Sequence, residues 1–305
     1  MWSYVFRFLL TFFVPTVLAY DSSIFSNVRF KNIVIFGDSY TDTGNVYKIS
    51  HRTWPLSPPY FFGRFSNGPN WVDQLKVFGV NNYAYGSATT DNNFVQGYSK
   101  FKTLPVPGIR QQIATFLSRS DVANFDFTRT LCILWGGGND FIFNSSLTPP
   151  AIAASLLNGV QDLLTHGAKH ILVFNQIPAE YIPLSLTMAP PSVLNYLTAL
   201  FNNALTTGLT TIQQNNTQAA LNLFDIHSLI TKVVTSKSEY FTNTTANCWN
   251  AVNATTIVKL CDNPDKYVFV DTIHFTSRVH GLIADALRPF LLTSYAVNSA
   301  GCYVH

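Results

Sequence analysis

Short apolar runs alternate with longer helical patterns along most of this chain. Runs rich in β-branched and large apolar residues predict strands at 32–36, 82–85, 131–135, 170–174, 221–224 and 267–270. Apolar positions that recur with a 3.6-residue period predict amphipathic helices at 152–164, 194–212 and 276–287. Pro149 and Pro150 suit the start of the first of these helices and Gly167 its end, while Pro289 is expected to stop the last.

The alternation of strands and helices predicts an α/β fold. Because the strands are apolar almost throughout, we expect a parallel sheet that is covered by helices on both faces. No internal repeat or linker divides the chain, so a single domain is expected. In such sheets ligands bind beyond the carboxyl ends of the strands, which is where a site should be sought.

Composition narrows the function classes. Of the 305 residues, 47% are hydrophobic and 11% are charged, whereas about a quarter is usual for charged residues. The net charge of +3 is small and no basic run is present, so no nucleic-acid partner is expected. A surface so poor in charge needs another source of solvation.

The N-terminus indicates a secretory route, along which attached glycans could solvate the surface. Arg7 precedes a largely apolar run at 8–14, and small or short residues at positions 17 and 19 suit cleavage before Tyr20. The apolar run is too short to span a membrane, so residues 1–19 are predicted to be a signal peptide. The chain is therefore expected to be secreted, with residues 20–305 forming the mature domain and no integral membrane segment in it.

Glycosylation would agree with that route. Four Asn-x-Ser/Thr sequons lie in polar, loop-like stretches and are candidate N-glycosylation sites: Asn144, Asn215, Asn243 and Asn253.

Cysteine usage fits an oxidising compartment. Cys248 and Cys261 bracket a short polar segment and are a plausible disulfide. Cys132 lies inside a predicted strand and is expected to be a buried free thiol, whereas Cys302 could be free or paired. No spacing of Cys or His residues indicates a metal site, and no cofactor is expected.

Four polar or glycine positions follow predicted strands within one to four residues: Ser39, Gly86, Asn139 and Asp271. Ser39 follows Gly37, which allows a tight turn, and a helix after Ser39 would aim its N-terminal N–H groups at the serine oxygen. Taken alone, Ser39 could equally be a helix N-cap and Gly86 a simple turn. Their shared position at strand ends favours a common site.

His274 follows Asp271 by three residues. This spacing lets the carboxylate accept the Nδ1 proton and leaves Nε2 free to face a serine, although an isolated pair could be a cap and a loop histidine. The Gly86 backbone N–H and the Asn139 amide could donate to a developing oxyanion. Together these groups predict cleavage of an ester through a serine acyl-enzyme.

The order Ser39, Gly86, Asn139, His274, with Gly-Asp-Ser at the first and Asp-x-x-His at the last, resembles the SGNH or GDSL hydrolases. The resemblance implies a three-layer α/β/α flavodoxin-like fold with a central parallel sheet of about five strands. It also implies Ser39 as nucleophile, His274 as base and Asp271 as orienting acid, with an oxyanion hole from Ser39, Gly86 and Asn139. Tyr40 stands where the family name has leucine and is not expected to touch the chemistry.

The segment 62–73, Phe-Gly-Arg-Phe-Ser-Asn-Gly-Pro-Asn-Trp-Val-Asp, is similar to that of secreted fungal acetylesterases of carbohydrate esterase family 16. That resemblance implies removal of short acyl groups from a small-molecule or oligosaccharide ester. Lipolytic relatives share a related segment, so a lipase or phospholipase acting on lipid is the alternative. A secreted, non-catalytic binding protein on a hydrolase fold is a more distant one. The chain is expected to act as a monomer.

Two further segments leave alternatives open. Six aromatic residues after the nucleophile could line an acyl pocket, stack on sugar rings or pack the core: Trp54, Tyr60, Phe61, Phe62, Phe65 and Trp71. The stretch 177–191, which is rich in proline and apolar residues, could form a mobile flap over the site.

Overall fold

A computed structural model describes residues 30–77, 79–236 and 240–295. The predicted signal peptide at 1–19 and Cys302 lie outside this range. The strands are β1 (Asn32–Gly37), β2 (Val80–Asn82), β3 (Gly97–Ser99), β4 (Leu104–Val106), β5 (Thr130–Trp135), β6 (His170–Phe174), β7 (Ala220–Phe224), β8 (Asn243–Asn247), β9 (Trp249–Asn253), β10 (Thr256–Lys259) and β11 (Tyr267–Phe269). The α-helices are α1 (Asn45–Ile49), α2 (Trp71–Gln74), α3 (Ile109–Leu117), α4 (Gly138–Phe143), α5 (Pro149–Thr165), α6 (Pro191–Asn215), α7 (Ile226–Thr235) and α8 (Ser277–Ser294).

Five parallel strands form the central sheet in the order β2-β1-β5-β6-β7. Every side chain of β5 and β6 is buried, which is the pattern expected of strands covered on both faces. The predicted α/β/α architecture with a parallel five-stranded sheet is therefore confirmed.

Successive residues of each strand face opposite layers of the molecule. Ile33 and Ile35 pack with α2, α7 and α8, whereas Val34 and Phe36 pack with α3, α5 and α6. The two-residue period of the strand thus distributes its apolar side chains between two helical layers. This arrangement leaves the carboxyl-terminal edge of the sheet open for a site.

The predicted strand at 267–270 does not join this sheet. Tyr267–Phe269 pairs in parallel with Asn243–Asn247 in a separate two-stranded sheet. The placement implied by the sequence pattern was wrong, because a short apolar run does not specify its partner and the polar segment 243–247 supplies one. The predicted strand at 82–85 is likewise shifted to Val80–Asn82.

Pro289 lies inside the last helix instead of ending it. Proline removes one helical hydrogen bond and crowds the preceding turn. However, Leu287 and Leu291 are buried on one side of this helix and, with Tyr295 directly after it, pack against the core. We attribute the continuation of the helix to that burial, which offsets the lost hydrogen bond.

The structure joins Cys248 to Cys261, as predicted. Cys132 is a buried free thiol in β5, and burial raises its pKa to about 12. In residues 30–77, 79–236 and 240–295, no helix has both the length and the apolar character needed to cross a membrane.

Candidate active site

Ser39 lies in a single hydrogen-bonded turn directly after β1. The carbonyl of Asp38 accepts the N–H groups of Thr41 at 3.0 Å and Asp42 at 2.9 Å. The helix expected to follow Ser39 is not there, because α1 begins only at Asn45. The carboxylate of Asp42 instead accepts the N–H groups of Gly44, Asn45 and Val46, so it caps that helix and keeps it apart from the serine.

Ser39, His274 and Asp271 form a continuous hydrogen-bonded chain. His274 Nε2 lies 2.8 Å from Ser39 Oγ, and His274 Nδ1 lies 2.7 Å from Asp271 Oδ2. The loop between β11 and α8 folds so that Asp271 Oδ1 also accepts the backbone N–H groups of Ile273 at 2.8 Å and His274 at 2.7 Å. The three-residue spacing therefore produces the geometry that the sequence predicts for it.

The surroundings of Asp271 keep its carboxylate charged. Burial alone would raise the pKa of Asp271, but the charge of His274 and hydrogen bonds from His274 and Tyr60 lower it to about 2. The Tyr60 hydroxyl donates to Asp271 Oδ2 at 2.5 Å. An ionised, fully hydrogen-bonded carboxylate can hold an imidazole in one orientation and stabilise its protonated form.

Asp38 brings a second carboxyl group to the serine turn. It is buried, and its Oδ1 accepts the Tyr40 N–H at 3.1 Å. Burial raises the pKa of Asp38 to about 7, although the Tyr40 N–H and the charge of His274 act in the opposite direction. The carboxyl group beside Ser39 therefore binds a proton more readily than an exposed aspartate does.

Gly86 lies next to Phe65, which packs against His274. The Phe65 ring is 5.0 Å from the His274 ring, and a Cβ atom on Gly86 would overlap it. The Gly86 N–H donates to Asp42 Oδ2 at 2.9 Å. The N–H expected to face an oxyanion is thus directed at a carboxylate in this structure.

The turn that contains Gly86 holds a strained residue. The Ala88 N–H donates to the Tyr85 carbonyl at 3.0 Å, and within this turn Ser87 has a φ of 72°. Glycine usually occupies such a position, because a side chain there costs on the order of 1–3 kcal/mol. Strain of this kind is typical of functional sites, and the sequence alone did not reveal it.

Asn139 is the second residue of α4, and its side chain reaches the same turn. Its Nδ2 donates to the Ala88 carbonyl at 2.9 Å. One N–H of the amide remains for another acceptor. The neighbouring Asp140 turns away into the protein, where Thr90 donates to it through both its N–H and its hydroxyl.

Two tyrosines that contact the Asp271–His274 loop were not assigned to the site from the sequence. Tyr60 contacts Asp271, as described above, and the Tyr40 hydroxyl donates to the Ile273 carbonyl at 2.7 Å. In the sequence, Tyr40 stands out only as a departure from leucine, and Tyr60 only as one of several aromatic residues. Both contacts join segments more than 200 residues apart in the sequence.

The aromatic cluster and the 177–191 segment divide between core and surface. Trp54, Tyr60, Phe65 and Trp71 are buried, whereas Phe62 is 68% exposed. In the 177–191 segment Ile182 is buried, and the Leu184 N–H donates to the Thr272 carbonyl at 2.8 Å. Leu186 and Met188 are exposed. The segment is therefore fastened to the loop between Asp271 and His274.

Chemically, the arrangement offers a serine hydroxyl hydrogen-bonded to a base, a carboxylate that orients the base, and an amide donor attached to the Gly86 turn. In the described part of the chain, no three His, Cys, Asp or Glu side chains are grouped in a way that could hold a metal ion. Groups of this kind suit acyl transfer through a serine.

Comparisons with known proteins agree with this chemistry. The sequence model of the family described as "GDSL-like Lipase/Acylhydrolase" matches residues 33–287. The chain is 28% identical to a phosphatidylcholine-sterol acyltransferase from Aeromonas hydrophila, over 76% of this chain and 68% of that protein. It is 26% identical to a GDSL esterase/lipase from Arabidopsis thaliana, over 80% of this chain and 84% of that protein.

Solved structures show the same fold. A carbohydrate acetylesterase from Sinorhizobium meliloti aligns with a TM-score of 0.50 at 14% identity, over 86% of this chain and 98% of that one. An inhibitor-bound aryl esterase from M. smegmatis aligns with a TM-score of 0.50 at 18% identity, over 86% and 99%. The family match spans most of the chain, so the protein belongs to the GDSL-like lipase/acylhydrolase family and is a carboxylic ester hydrolase.

Proposed function

We propose that this enzyme hydrolyses its ester through a covalent acyl-enzyme on Ser39, with His274 as the general base and Asp271 as its orienting acid. The observation that carries the proposal is the hydrogen-bonded chain from Ser39 Oγ through the imidazole to the Asp271 carboxylate, with links of 2.8 Å and 2.7 Å.

In the first step, Ser39 Oγ attacks the ester carbonyl carbon while His274 Nε2 takes the serine proton. The tetrahedral intermediate then collapses, the C–O bond to the alcohol breaks, and His274 returns the proton to the departing alcohol oxygen. In the second step a water molecule gives its proton to Nε2 and attacks the acyl-serine. The acid is released and Ser39 is protonated again.

The oxyanion of each tetrahedral intermediate would be received by the backbone N–H groups of Ser39 and Gly86 and by the Asn139 amide. The Gly86 N–H also faces Asp42, so this donor has to be shared with that carboxylate or released from it as the oxyanion forms. Losing one donor of this kind typically costs on the order of 10²–10³ in turnover. The attachment of Asn139 to the Ala88 carbonyl keeps its amide close to the Gly86 turn.

The serine mechanism is tested with p-nitrophenyl acetate and a p-nitrophenyl phosphonate. The wild type should hydrolyse the acetate, and the phosphonate should inactivate it with one label on the peptide that contains Ser39. Ser39→Ala should lose both the activity and the label while its far-UV circular dichroism stays unchanged. An active Ser39→Ala enzyme, or a label elsewhere, would show that Ser39 is not the nucleophile.

For the substrate, we propose a short acyl group, such as acetyl, on a carbohydrate or a small alcohol. Ser39 and His274 are only 8% and 9% exposed, and Phe65 packs on the imidazole, so the space around the reacting atoms is narrow. The 62–73 segment resembles that of fungal acetylesterases, and one relative in fold is named a carbohydrate acetylesterase. Rates on acetylated xylo-oligosaccharide, and on p-nitrophenyl esters from acetyl to palmitoyl, test this choice.

A second candidate is a lipase or phospholipase acting on longer acyl chains. It is favoured by Leu186 and Met188, which are 41% and 49% exposed on the segment fastened to Thr272. The relative from Aeromonas hydrophila is also named for a phosphatidylcholine substrate. A preference for palmitoyl esters that rises sharply above the substrate's solubility limit would select this candidate over the acetylesterase.

We further propose secretion, with cleavage after residue 19, a single mature domain at 20–305, and action as a monomer. Two sequon residues, Asn215 and Asn253, are exposed, while Asn144 and Asn243 are half-buried. Expression in a eukaryotic secretory host should yield medium-borne protein that starts near Tyr20 and loses mass on treatment with an N-glycanase. Retention in the cell with an intact N-terminus would contradict this proposal.

A further inference from the structure

The Asp271 carboxylate has four hydrogen-bond donors, and one of them comes from a distant part of the chain. Three are supplied by its own loop: the N–H groups of Ile273 and His274, and His274 Nδ1. The fourth is the hydroxyl of Tyr60, which is 211 residues away and lies 2.5 Å from Oδ2. Oδ2 is therefore shared between Tyr60 and His274.

We propose that Tyr60 is a positioning residue, whose hydroxyl holds Asp271 Oδ2 in place and limits the negative charge that Asp271 presents to His274. The inference rests on the proposed roles of Asp271 and His274. Tyr60 does not touch the reacting atoms and acts only through the carboxylate.

The Tyr60 hydroxyl can serve only as a donor here. The residue is 2% exposed, and burial together with the Asp271 charge raises the pKa of Tyr60 well above its usual 10. The phenol thus stays protonated at any pH at which the enzyme could work, and an ionised carboxylate can only accept. The direction of this hydrogen bond is fixed by chemistry.

The Tyr60 ring is held by the disulfide-closed region. Trp249 meets it edge-on, with ring centres 5.3 Å apart and planes at 89°. The Trp249 N–H donates to the Val270 carbonyl at 2.7 Å, directly before Asp271. Trp249 follows Cys248, which is joined to Cys261. One cross-linked segment therefore holds both the phenol and the start of the catalytic loop.

Removal of the Tyr60 hydroxyl should shift the pH dependence of the activity in a definite direction. In Tyr60→Phe, Oδ2 loses a donor, so more negative charge faces His274 and the imidazolium form becomes more favourable. Activity requires the neutral imidazole, and the charges of Asp38 and His280 act on it in the wild type and the variant alike, so the acid limb of the pH–rate profile should move to higher pH than in the wild type, by about half a unit. Turnover should fall about tenfold because the carboxylate is less well oriented, with little change in KM.

The test compares the wild type, Tyr60→Phe and Tyr295→Phe on p-nitrophenyl acetate between pH 5 and 9. Tyr295 is the matched control, because it is also buried and its hydroxyl donates to the Ile171 carbonyl at 3.2 Å, in the core. The expected result is a shifted acid limb for Tyr60→Phe and a wild-type limb for Tyr295→Phe. If the acid limb of the pH–rate profile is the same in both variants as in the wild type, Tyr60 contributes only packing and the proposal is wrong.

A second readout does not depend on activity. The proton between His274 Nδ1 and Asp271 should give a downfield ¹H NMR signal. This signal should move in Tyr60→Phe and stay in Tyr295→Phe, and an unmoved signal in Tyr60→Phe would also overturn the proposal.

A third variant serves if Tyr60→Phe does not fold. Replacing Tyr60 by 3-fluorotyrosine keeps the shape of the side chain and makes its hydroxyl a stronger hydrogen-bond donor. The acid limb should then move to lower pH, and an unmoved limb counts against the proposal. Failure of the serine mechanism would appear separately, as Ser39-independent hydrolysis.

Discussion

The hydroxyl of Tyr40 donates to the backbone carbonyl of Ile273 at 2.7 Å and thereby joins the turn that carries Ser39 to the loop that carries His274. The Tyr40 ring stacks on Trp135, with centres 5.2 Å apart and planes at 16°, and its edge faces His274 at 5.8 Å. Tyr40 does not reach the reacting atoms, but it fixes the two segments that must meet. A leucine at this position could supply apolar contact, but neither the stack on Trp135 nor the hydrogen bond to Ile273.

Substitution of Tyr40 should separate these two contributions. Tyr40→Phe leaves the partly buried Ile273 carbonyl without its donor, which should lower the free energy of unfolding by about 1 kcal/mol. Tyr40→Leu, which restores the family's Gly-Asp-Ser-Leu, also loses the stack on Trp135 and should cost about 1 kcal/mol more. Urea denaturation measures both values. A Tyr40→Leu protein as stable as the wild type would show that neither contact contributes.

Asp271→Asn should preserve the fold and remove most of the activity. The amide has no negative charge to support the imidazolium. Its NH₂ group also replaces one of the two accepting oxygens, so either His274 Nδ1 or the two backbone N–H groups lose their acceptor. We expect turnover on p-nitrophenyl acetate to fall by about 10⁴, with an unchanged near-UV circular dichroism spectrum. A rate within tenfold of the wild type would show that Asp271 is not the orienting acid.

Gly86→Ala should disturb the site through Phe65. The added Cβ overlaps the Phe65 ring, which is buried and packs 5.0 Å from His274, so a shift of the ring should disturb the imidazole. A displacement of about 1 Å can cost about 10²-fold in turnover.

Gly138→Ala is the matched control for this substitution. Its Cβ would have its nearest neighbour at 3.7 Å, and alanine suits its position in a helix. We expect wild-type activity from Gly138→Ala and a partial recovery in the Gly86→Ala/Phe65→Ala double variant. Full activity in Gly86→Ala alone would contradict the steric argument.

How far the sequence determines this structure depends on the range of the interaction. The strands β1, β5, β6 and β7 were predicted to within one residue at each end, because runs of buried apolar residues are a local signal. The Asp271-x-x-His274 geometry is local as well. Tyr60 and Tyr40 were missed because their contacts join segments more than 200 residues apart, and no spacing in the sequence encodes those contacts.

The predictions that were wrong also depend on interactions between distant parts of the chain. Tyr267–Phe269 was predicted as a strand, but its pairing with Asn243–Asn247 could not be, since strand partners are chosen in three dimensions. Pro289 is a local stop signal that is overridden by the burial of Leu287 and Leu291 against distant residues. The expected helix after Ser39 is replaced by a turn because Asp42 caps α1 further along the chain.

The Cys248–Cys261 disulfide should contribute to stability through the loop that it closes. The two cysteines are 13 residues apart, and a loop of about that length gives about 3 kcal/mol in the chain-entropy model. The Cys248→Ser/Cys261→Ser double variant should therefore unfold at lower urea. Dithiothreitol should lower the midpoint of the wild type and leave that of the double variant unchanged. An equal response of both proteins to the reductant would mean that the disulfide is not the cause.

Asp140 should make the stability of the enzyme depend on pH. Burial raises the pKa of Asp140 from 3.8 to about 7, although the Thr90 hydrogen bonds act in the opposite direction. At a pH between these two values, the Asp140 carboxyl holds a proton in the folded protein and has released it in the unfolded chain. The contribution of Asp140 is therefore greatest below pH 3.8 and is lost as the pH rises to about 7.

Asp140→Asn removes this proton, so the free energy of unfolding of the wild type relative to the variant should fall as the pH rises through that window. The difference should change by up to about 1 kcal/mol per pH unit, measured by urea denaturation at pH 5, 6 and 7. His280, whose pKa burial lowers to about 3, makes the folded state less stable as the pH falls below 6.5. That effect is common to both proteins and cancels in the difference. A difference that is constant with pH would show that Asp140 is ionised throughout this range in the folded protein.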